Sequence, residues 1–187
     1  MTTIVFCHPQ TESFNHCILN SVTKALSDQG REYDVINLYG EHFNPVLDSA
    51  GIELYDKGES DDPNVKKYGE ALRNTSEIIF IFPIWWGTMP AMLKGFIDKT
   101  FLKGIAFDTT PEGAILPCLS IDKTTIITTS EEDSEVFGNF IMGYFTPMTL
   151  TSVGMNGVTW FNFDRASKKT EADRQEFITE VLAAVAS

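Results

Sequence analysis

The chain has 187 residues, of which 43% are hydrophobic and 21% charged, as is ordinary for one globular domain that buries its own core. Its formal net charge of −12 repels phosphate backbones and anionic lipids, so we expect neither nucleic-acid binding nor membrane insertion. Cys7, Cys17 and Cys118 have neither disulfide-framework nor zinc-site spacing, the three histidines form no ligand pattern, and no stretch approaches the roughly 18 apolar residues of a membrane span. We therefore expect a single domain over residues 1–187, in the reducing cytoplasm and without a metal ion.

Short apolar runs alternate with helical patterns along the chain. Five runs are typical of strands buried on both faces. They cover residues 3–7, 34–38, 78–82, 123–128 and 158–163. Apolar residues with helical spacing follow each strand except the second, which is followed by a long polar stretch, 39–62, predicted to be irregular. The predicted helices cover residues 18–26, 65–72, 90–101, 141–150 and 174–185.

This alternation predicts an α/β three-layer sandwich around a parallel sheet with right-handed crossovers. Five strands in so short a chain favour the flavodoxin-like order 2-1-3-4-5 over the Rossmann order. The ligand crevice of such a sheet lies outside the carboxyl ends of strands 1 and 3. The loops that follow strands 1, 3 and 4 are therefore the candidate site.

The first of these loops, His8-Pro-Gln-Thr-Glu-Ser-Phe-Asn15, leads directly into a helix. The N-terminus of a helix binds phosphate through free N–H groups and a partial positive charge, without lysine or arginine. Thr11, Ser13 and Asn15 could donate further hydrogen bonds to phosphate oxygens. Ser13 or Asn15 could equally be only the N-cap of the helix, and the loop alone does not separate these interpretations.

Four other kinds of site do not fit this loop. A Rossmann dinucleotide site needs G-x-G-x-x-G and a Walker A loop needs G-K-[ST], and neither pattern is present. A response regulator would need an aspartate where His8 stands. A low-molecular-weight tyrosine phosphatase would need an arginine six residues after its cysteine, and Ser13 stands there after Cys7.

Two adjacent tryptophans follow the most hydrophobic strand, in Pro83-Ile-Trp-Trp-Gly-Thr-Met-Pro90. Both cannot point into one helix–sheet core, so we expect Trp85 or Trp86 to face a planar ligand. Gly87 would let the backbone approach that ligand closely. The alternative is that the tryptophans only plug the end of the sheet.

The third loop, Thr128-Thr-Ser130, follows the fourth strand and could add hydroxyl and amide donors to the same crevice. Threonine is also a good strand former, so this signal is weak by itself.

Four motifs together resemble the NAD(P)H dehydrogenase (quinone) family of DT-diaphorase-like flavoproteins. They are His8-Pro-x-x-x-Ser13-Phe-Asn15, Phe43-Asn-Pro45, Phe82-Pro-x-Trp-Trp-Gly87 and Met89-Pro-Ala-Met-Leu-Lys-Gly-Phe-Ile-Asp98. The resemblance covers nearly the whole chain and is most specific between Phe82 and Asp98. It implies a flavodoxin-like homodimer with a flavin in each crevice, FAD in preference to FMN, and NAD(P)H as co-substrate. Carried over from the family, the flavin-binding residues are His8, Thr11, Ser13, Phe14, Asn15, Pro83, Ile84, Trp85, Trp86, Gly87, Thr128, Thr129 and, near an adenine, Arg174.

The activity that the resemblance implies is two-electron, ping-pong transfer of a hydride from NAD(P)H to a quinone. Mammalian members follow the Thr-Thr pair with a glycine-rich loop and with a tyrosine and a histidine that assist the transfer. Here Ser130-Glu-Glu-Asp-Ser-Glu-Val-Phe137 contains neither residue, so we expect no side chain to be an essential acid or base. The alternatives are a nitro or azo reductase of the same fold, a regulatory flavoprotein of a potassium-efflux system, and a one-electron flavodoxin. The last would need T-x-T-G-x-T, which is absent.

Overall fold

The computed structural model describes residues 1–186 and has a parallel sheet with helices on both faces. The strands are β1 (Thr2–Phe6), β2 (Tyr33–Asn37), β3 (Glu77–Pro83), β4 (Phe107–Thr109), β5 (Ile115–Pro117), β6 (Lys123–Thr129) and β7 (Val158–Phe163). The α-helices are α1 (Phe14–Asp28), α2 (Ser49–Tyr55), α3 (Pro63–Arg73), α4 (Ala91–Thr100), α5 (Ser134–Gly138) and α6 (Glu171–Ala186). A segment of π-helical turns, Asn139–Leu150, follows α5, and short 3₁₀ turns occupy Thr151–Val153 and Ala166–Lys168.

Five parallel strands form the sheet in the order β2-β1-β3-β6-β7. Counted within the sheet alone, this is the predicted order 2-1-3-4-5, so the predicted fold class is confirmed. The pairing of Phe82 with Thr128 and of Pro83 with Thr129 places the carboxyl ends of β3 and β6 side by side. The loops that follow these strands therefore start from one edge of the sheet.

The side chains of the central strands divide between two helical layers because neighbours along a strand point to opposite faces. Ile79 and Ile81 of β3 pack with α1 and α6 on one face. Phe80 and Phe82 pack with α3, α4 and the 139–150 segment on the other. Both layers are packed with apolar side chains. The polar loops at the carboxyl edge lie outside these layers and are available for binding.

Three features were not predicted: α2, the β4–β5 hairpin and the short helix α5. The stretch 39–62 contains α2, in which Oδ1 of Asp48 accepts a hydrogen bond from the amide of Gly51 at 2.9 Å. No residue of α2 is buried, so the sequence carries no apolar period there. The antiparallel hairpin β4–β5 has strands of three largely exposed residues each, too short to give an alternating pattern.

The helix predicted at 141–150 is present in altered form. It begins at Asn139 and its turns are π-helical, with Pro147 inside them. Proline cannot donate a backbone hydrogen bond, which disfavours regular α-helical turns at this point. Across residues 1–186, no helix combines the length and apolar character that crossing a membrane would require.

Candidate functional site

The three loops after β1, β3 and β6 meet at the carboxyl edge of the sheet. The backbone amide of Ile84 donates to the carbonyl of Thr129 at 2.8 Å, which joins the second loop to the third. The Asn15 side chain donates from Nδ2 to Oγ1 of Thr129 at 2.8 Å, which joins the first loop to the third. The rings of His8 and Trp85 lie edge to face with centroids 6.0 Å apart. The predicted loops thus form one crevice.

Ser13 is the N-cap of α1. Its Oγ accepts a hydrogen bond from the amide of His16 at 3.2 Å and donates to the carbonyl of Gln10 at 2.8 Å. Nδ1 of His8 accepts from the amide of Gln10 at 3.1 Å, so the loop is held by its own side chains, while Thr11 is exposed. The first amides of a helix have no partner within it. At α1 these amides follow the loop that the sequence predicts to bind phosphate.

Asn15 is 3% exposed, and its Oδ1 has no hydrogen-bond partner. A buried acceptor without a donor costs about 1–3 kcal/mol, and native structures keep few of them. A ligand with hydroxyl groups, such as the ribityl chain of a flavin, could supply the donor. This atom is one observation by which the crevice fits a flavin.

Trp86 and Gly87 occupy the centre of a tight turn closed by two backbone hydrogen bonds. The amide of Trp85 donates to the carbonyl of Thr88 at 2.9 Å, and that of Thr88 donates back at 3.2 Å. Trp86 has φ +51° and Gly87 φ +77°, both left-handed, which is the geometry of a type I′ turn. Trp85 is 40% exposed and Trp86 is fully exposed, so neither indole lies in the helix–sheet core. Pro83 and Ile84 are buried below the turn.

The side chains of the two threonines after β6 point to opposite faces. Thr129 contacts Asn15 on the α1 face, whereas Thr128 is fully buried on the other face. Oγ1 of Thr128 accepts from Nε1 of Trp160 at 2.8 Å and donates to Oδ1 of Asn162 at 2.8 Å. Thr128 therefore has its hydroxyl engaged by β7. Trp160 and Asn162 were not predicted as part of the site; their spacing of two along a strand is the signal that places them on one face.

Arg174 lies at the edge of the α1–α6 layer, beside the first loop. Its guanidinium lies over the ring of Phe14, 5.4 Å from the centroid, and Phe14 packs on Phe163 with centroids 4.6 Å apart. Nε of Arg174 is buried without a hydrogen-bond partner, and Nη1 is 3.8 Å from Oε2 of Glu171. The structure thus places Arg174 and Phe14 together and leaves the Nε donor of Arg174 without a hydrogen-bond partner.

An apolar groove of about 670 Å³ opens beside the tryptophan turn. Its far wall comes from the 139–150 segment, which the sequence analysis did not connect with the site. The lining residues are Trp85, Trp86, Thr88, Met89, Pro90, Ala91, Lys94, Phe140, Tyr144, Phe145, Met148 and Thr149. A groove of this size and character suits a planar aromatic ligand.

Burial shifts the pKa of two groups at the first loop. It raises the pKa of the Cys7 thiol to about 12, so Cys7 carries no thiolate at neutral pH. This agrees with setting aside phosphatase chemistry. Burial also lowers the pKa of His8, against the opposing effect of the Gln10 backbone, and the neighbouring His16 lowers it further. His8 is therefore biased towards its neutral form.

The model of the family described as "Flavodoxin-like fold" matches residues 1–186, and the chain belongs to this family. Curated relatives include the uncharacterized NAD(P)H oxidoreductase YcaK of Escherichia coli (strain K12), 30% identical over 56% of this chain and 54% of the relative. The Homo sapiens ribosyldihydronicotinamide dehydrogenase [quinone] is 31% identical over 56% of this chain and 52% of the relative. The chain thus spans about half the length of the curated relatives it matches.

Among solved structures, Smu.1420 from Streptococcus mutans UA159 superposes with a TM-score of 0.83 and 28% identity, covering 98% of this chain and 97% of that one. The names of the relatives agree with the family that the four sequence motifs indicated, so that resemblance is confirmed.

Proposed function

We propose that the chain is a flavin-dependent NAD(P)H:quinone oxidoreductase. The observation that carries the proposal is the meeting of the three loops after β1, β3 and β6 beside the 670 Å³ apolar groove. Membership of the flavodoxin-like family and the quinone dehydrogenase name of the human relative support it.

The phosphate end of the flavin would bind at the N-terminus of α1. The amides of the first turn supply donors there, and the helix supplies partial positive charge, so a chain of net charge −12 needs no phosphate-binding lysine. Asn15 would donate through the same carboxamide that contacts Thr129 and would receive a ligand hydroxyl at Oδ1. His8 and Thr11 complete the loop around this end.

The ring end would lie against the tryptophan turn, between Trp85–Gly87 and the loop that begins at Thr129. When bound, a flavin supplies hydride chemistry, and the protein positions it and its substrates. Thr128 is fully buried between β3 and β7 and its hydroxyl is committed to Trp160 and Asn162, so it would support the loop that begins at Thr129.

FAD is preferred to FMN because of Phe14 and Arg174. An aromatic ring and a guanidinium that stack on each other form a surface suited to adenine, and the buried Nε offers a donor to it. FMN has no adenine and would leave this surface uncovered.

The groove beside Trp86 would admit one planar substrate ring at a time, so NAD(P)H would leave before a quinone enters. This exclusion leads to ping-pong kinetics. No side chain is assigned as an essential acid or base, because the Ser130–Phe137 segment lacks the tyrosine and histidine of the mammalian enzymes.

We also propose a homodimer. Trp86, Tyr144 and Met148 are exposed and apolar or aromatic, and they line one continuous groove. A second copy of the chain would cover the part of this surface that the cofactor and substrates leave open.

The test is to purify the protein and measure its flavin. We expect a flavin absorption spectrum that saturates at one flavin per chain, and FAD as the cofactor released on denaturation and identified by mass spectrometry. Stopped-flow mixing with NADH or NADPH should bleach the spectrum, and menadione should restore it, with parallel lines in double-reciprocal plots. A chain that binds no flavin would end the proposal. Recovery by azo or nitro compounds but by no quinone would reassign the acceptor.

A further inference from the structure

A chain of hydrogen bonds crosses from β6 to the loop Ser130–Ser134, and the carboxamide of Asn162 is at its centre. Oδ1 of Asn162 accepts from Oγ1 of Thr128 at 2.8 Å. Nδ2 donates to Oγ of Ser130 at 2.9 Å and to Oγ of Ser134 at 3.1 Å. One side chain thus joins the end of a central strand to both ends of the loop.

The outer members of this hydrogen-bond network give each of its three hydroxyls both a donor and an acceptor. Thr128 receives the indole N–H of Trp160 at 2.8 Å. Oγ of Ser130 donates to the carbonyl of Glu132 at 2.8 Å, and Oγ of Ser134 donates to Oδ2 of Asp164 at 2.9 Å. Linked hydrogen bonds polarise one another, so a fully satisfied chain is stiff.

A carboxamide suits this position, because it accepts from one hydroxyl and donates to two others at the same time. An aspartate has no N–H donors, and a leucine of similar size has neither donors nor acceptors. Neither can reproduce this set of bonds.

The rest of the loop is tied to the same stretch that follows β7. The amide of Ser130 donates to the carbonyl of Phe163 at 3.0 Å. Oε2 of Glu131 accepts from Oγ of Ser167 at 2.6 Å, and Asp133 forms an ion pair with Arg165. Glu131 and Asp133 are exposed, so the Asn162 bonds are the more protected ties.

We infer that Asn162 is a positioning residue that fixes the backbone of the 128–134 segment at the polar edge of the bound flavin ring. The inference rests on the proposed function. Donors held in fixed positions stabilise developing negative charge without reorganising, and that stabilisation is lost when the donors can move. Loosening the loop should therefore make the bound flavin harder to reduce.

The experiment uses the full chain saturated with FAD. Asn162→Leu removes the three bonds, and Asn162→Asp keeps the acceptor and loses the two donors. Ser134→Ala removes the hydroxyl that accepts from Asn162 and donates to Asp164, leaves the bond to Ser130 in place, and serves if an Asn162 variant does not fold. Asn156→Asp is the matched control, because it makes the same chemical change at an exposed site near the amino end of β7.

We expect both Asn162 variants to hold FAD about tenfold more weakly, because the loss of these part-buried hydrogen bonds loosens the loop beside the flavin. At equilibrium with a reference redox dye, the ratio of reduced to oxidised flavin should fall severalfold, and the visible absorption bands should shift. Ser134→Ala should show a smaller change in the same direction, and Asn156→Asp none.

A purely structural asparagine would lower the melting temperature and leave the dye ratio and the spectrum unchanged, which would overturn the inference while the wild type still binds and reduces its flavin. A wild type that binds no FAD would instead overturn the proposed function itself.

Discussion

Two walls of the crevice are built in opposite ways. The wall formed by Ser130–Ser134 is polar, and its side chains are tied to β7 and the residues after it. The wall formed by Trp85–Thr88 is held by two backbone hydrogen bonds and exposes both indoles. The difference teaches that one wall is organised by the chain alone, whereas the other presents apolar surface that a ligand or a second copy would cover.

The largest expected effect is on the apolar wall. Replacing Trp85 and Trp86 together by Ala should weaken FAD binding by up to about a hundredfold, because two aromatic contacts of roughly 1–1.5 kcal/mol each are lost. The apoprotein should melt within a few degrees of the wild type, since the indoles are exposed. Flavin fluorescence titration measures the first quantity and thermal melting the second.

The control for that experiment is Val136→Ala, which removes an exposed apolar side chain outside the groove lining. It should change neither quantity. If the double variant unfolds while its remaining folded fraction binds FAD normally, the tryptophans are structural and the two walls do not differ as described.

The next effect concerns the proposed homodimer. Met148→Glu places a charge on an exposed apolar residue of the groove and should convert most of a wild-type dimer to monomer at micromolar concentration, because a buried unpaired charge costs several kcal/mol. Sedimentation velocity measures the change. The matched substitution Val46→Glu, at an exposed valine outside this groove, should leave the dimer intact. A wild-type chain that sediments as a monomer contradicts the expectation directly.

A smaller effect, an increase in the free energy of unfolding, is expected at Trp86. Its φ of +51° strains any side chain except asparagine, aspartate and glycine, and Asn-Gly is the favoured pair in a type I′ turn. Trp86→Asn should therefore raise the free energy of unfolding of the apoprotein by about 1 kcal/mol while weakening FAD binding. Trp86→Ala should weaken binding without the gain in stability. Urea unfolding of both variants makes the comparison, and a loss of stability in Trp86→Asn would show that the indole supports the turn.

The smallest effect is a pH dependence at His8. Burial lowers the pKa of His8 in the folded chain, so the unfolded chain binds the proton more tightly. The contribution to stability is thus present above the unfolded pKa of about 6.5 and is lost as the pH falls through the folded pKa. The melting temperature of the apoprotein should fall less between pH 7.5 and 5.5 in His8→Gln than in the wild type. His42→Gln makes the same change at an exposed histidine outside the first loop and is the control, in which the fall in melting temperature over this pH interval should match that of the wild type.

The central strand β3 was the most predictable because its side chains are buried on both faces, whereas the edge strands β2 and β7 proved to be only partly buried. Ile78-Ile-Phe-Ile-Phe82 can only be a buried strand or part of a buried helix, and its length and the proline after it decide for the strand. The order of the strands followed from their number and from the crossover rule. For such a strand the local residue pattern was sufficient, because burial on both faces requires a continuous run of apolar side chains.

The candidate site was predictable only in part. The loops after β1, β3 and β6 follow from topology, but the wall of Phe140, Tyr144 and Met148 comes from π-helical turns around Pro147, which have no simple apolar period. Asn162 stands in a strand predicted to be buried, where a polar residue gives no hint of its partners. Its role depends on which side chains the parallel register of β6 and β7 brings opposite each other.

The exposed indoles also give the molecule its own optical reporter. The chain has three tryptophans, and two of them, Trp85 and Trp86, stand at the mouth of the crevice, while Trp160 is half-buried on β7. Emission from a fully hydrated indole is red-shifted, and flavins absorb in the range where tryptophan emits. Quenching of the tryptophan emission would therefore follow occupancy of the crevice without any label.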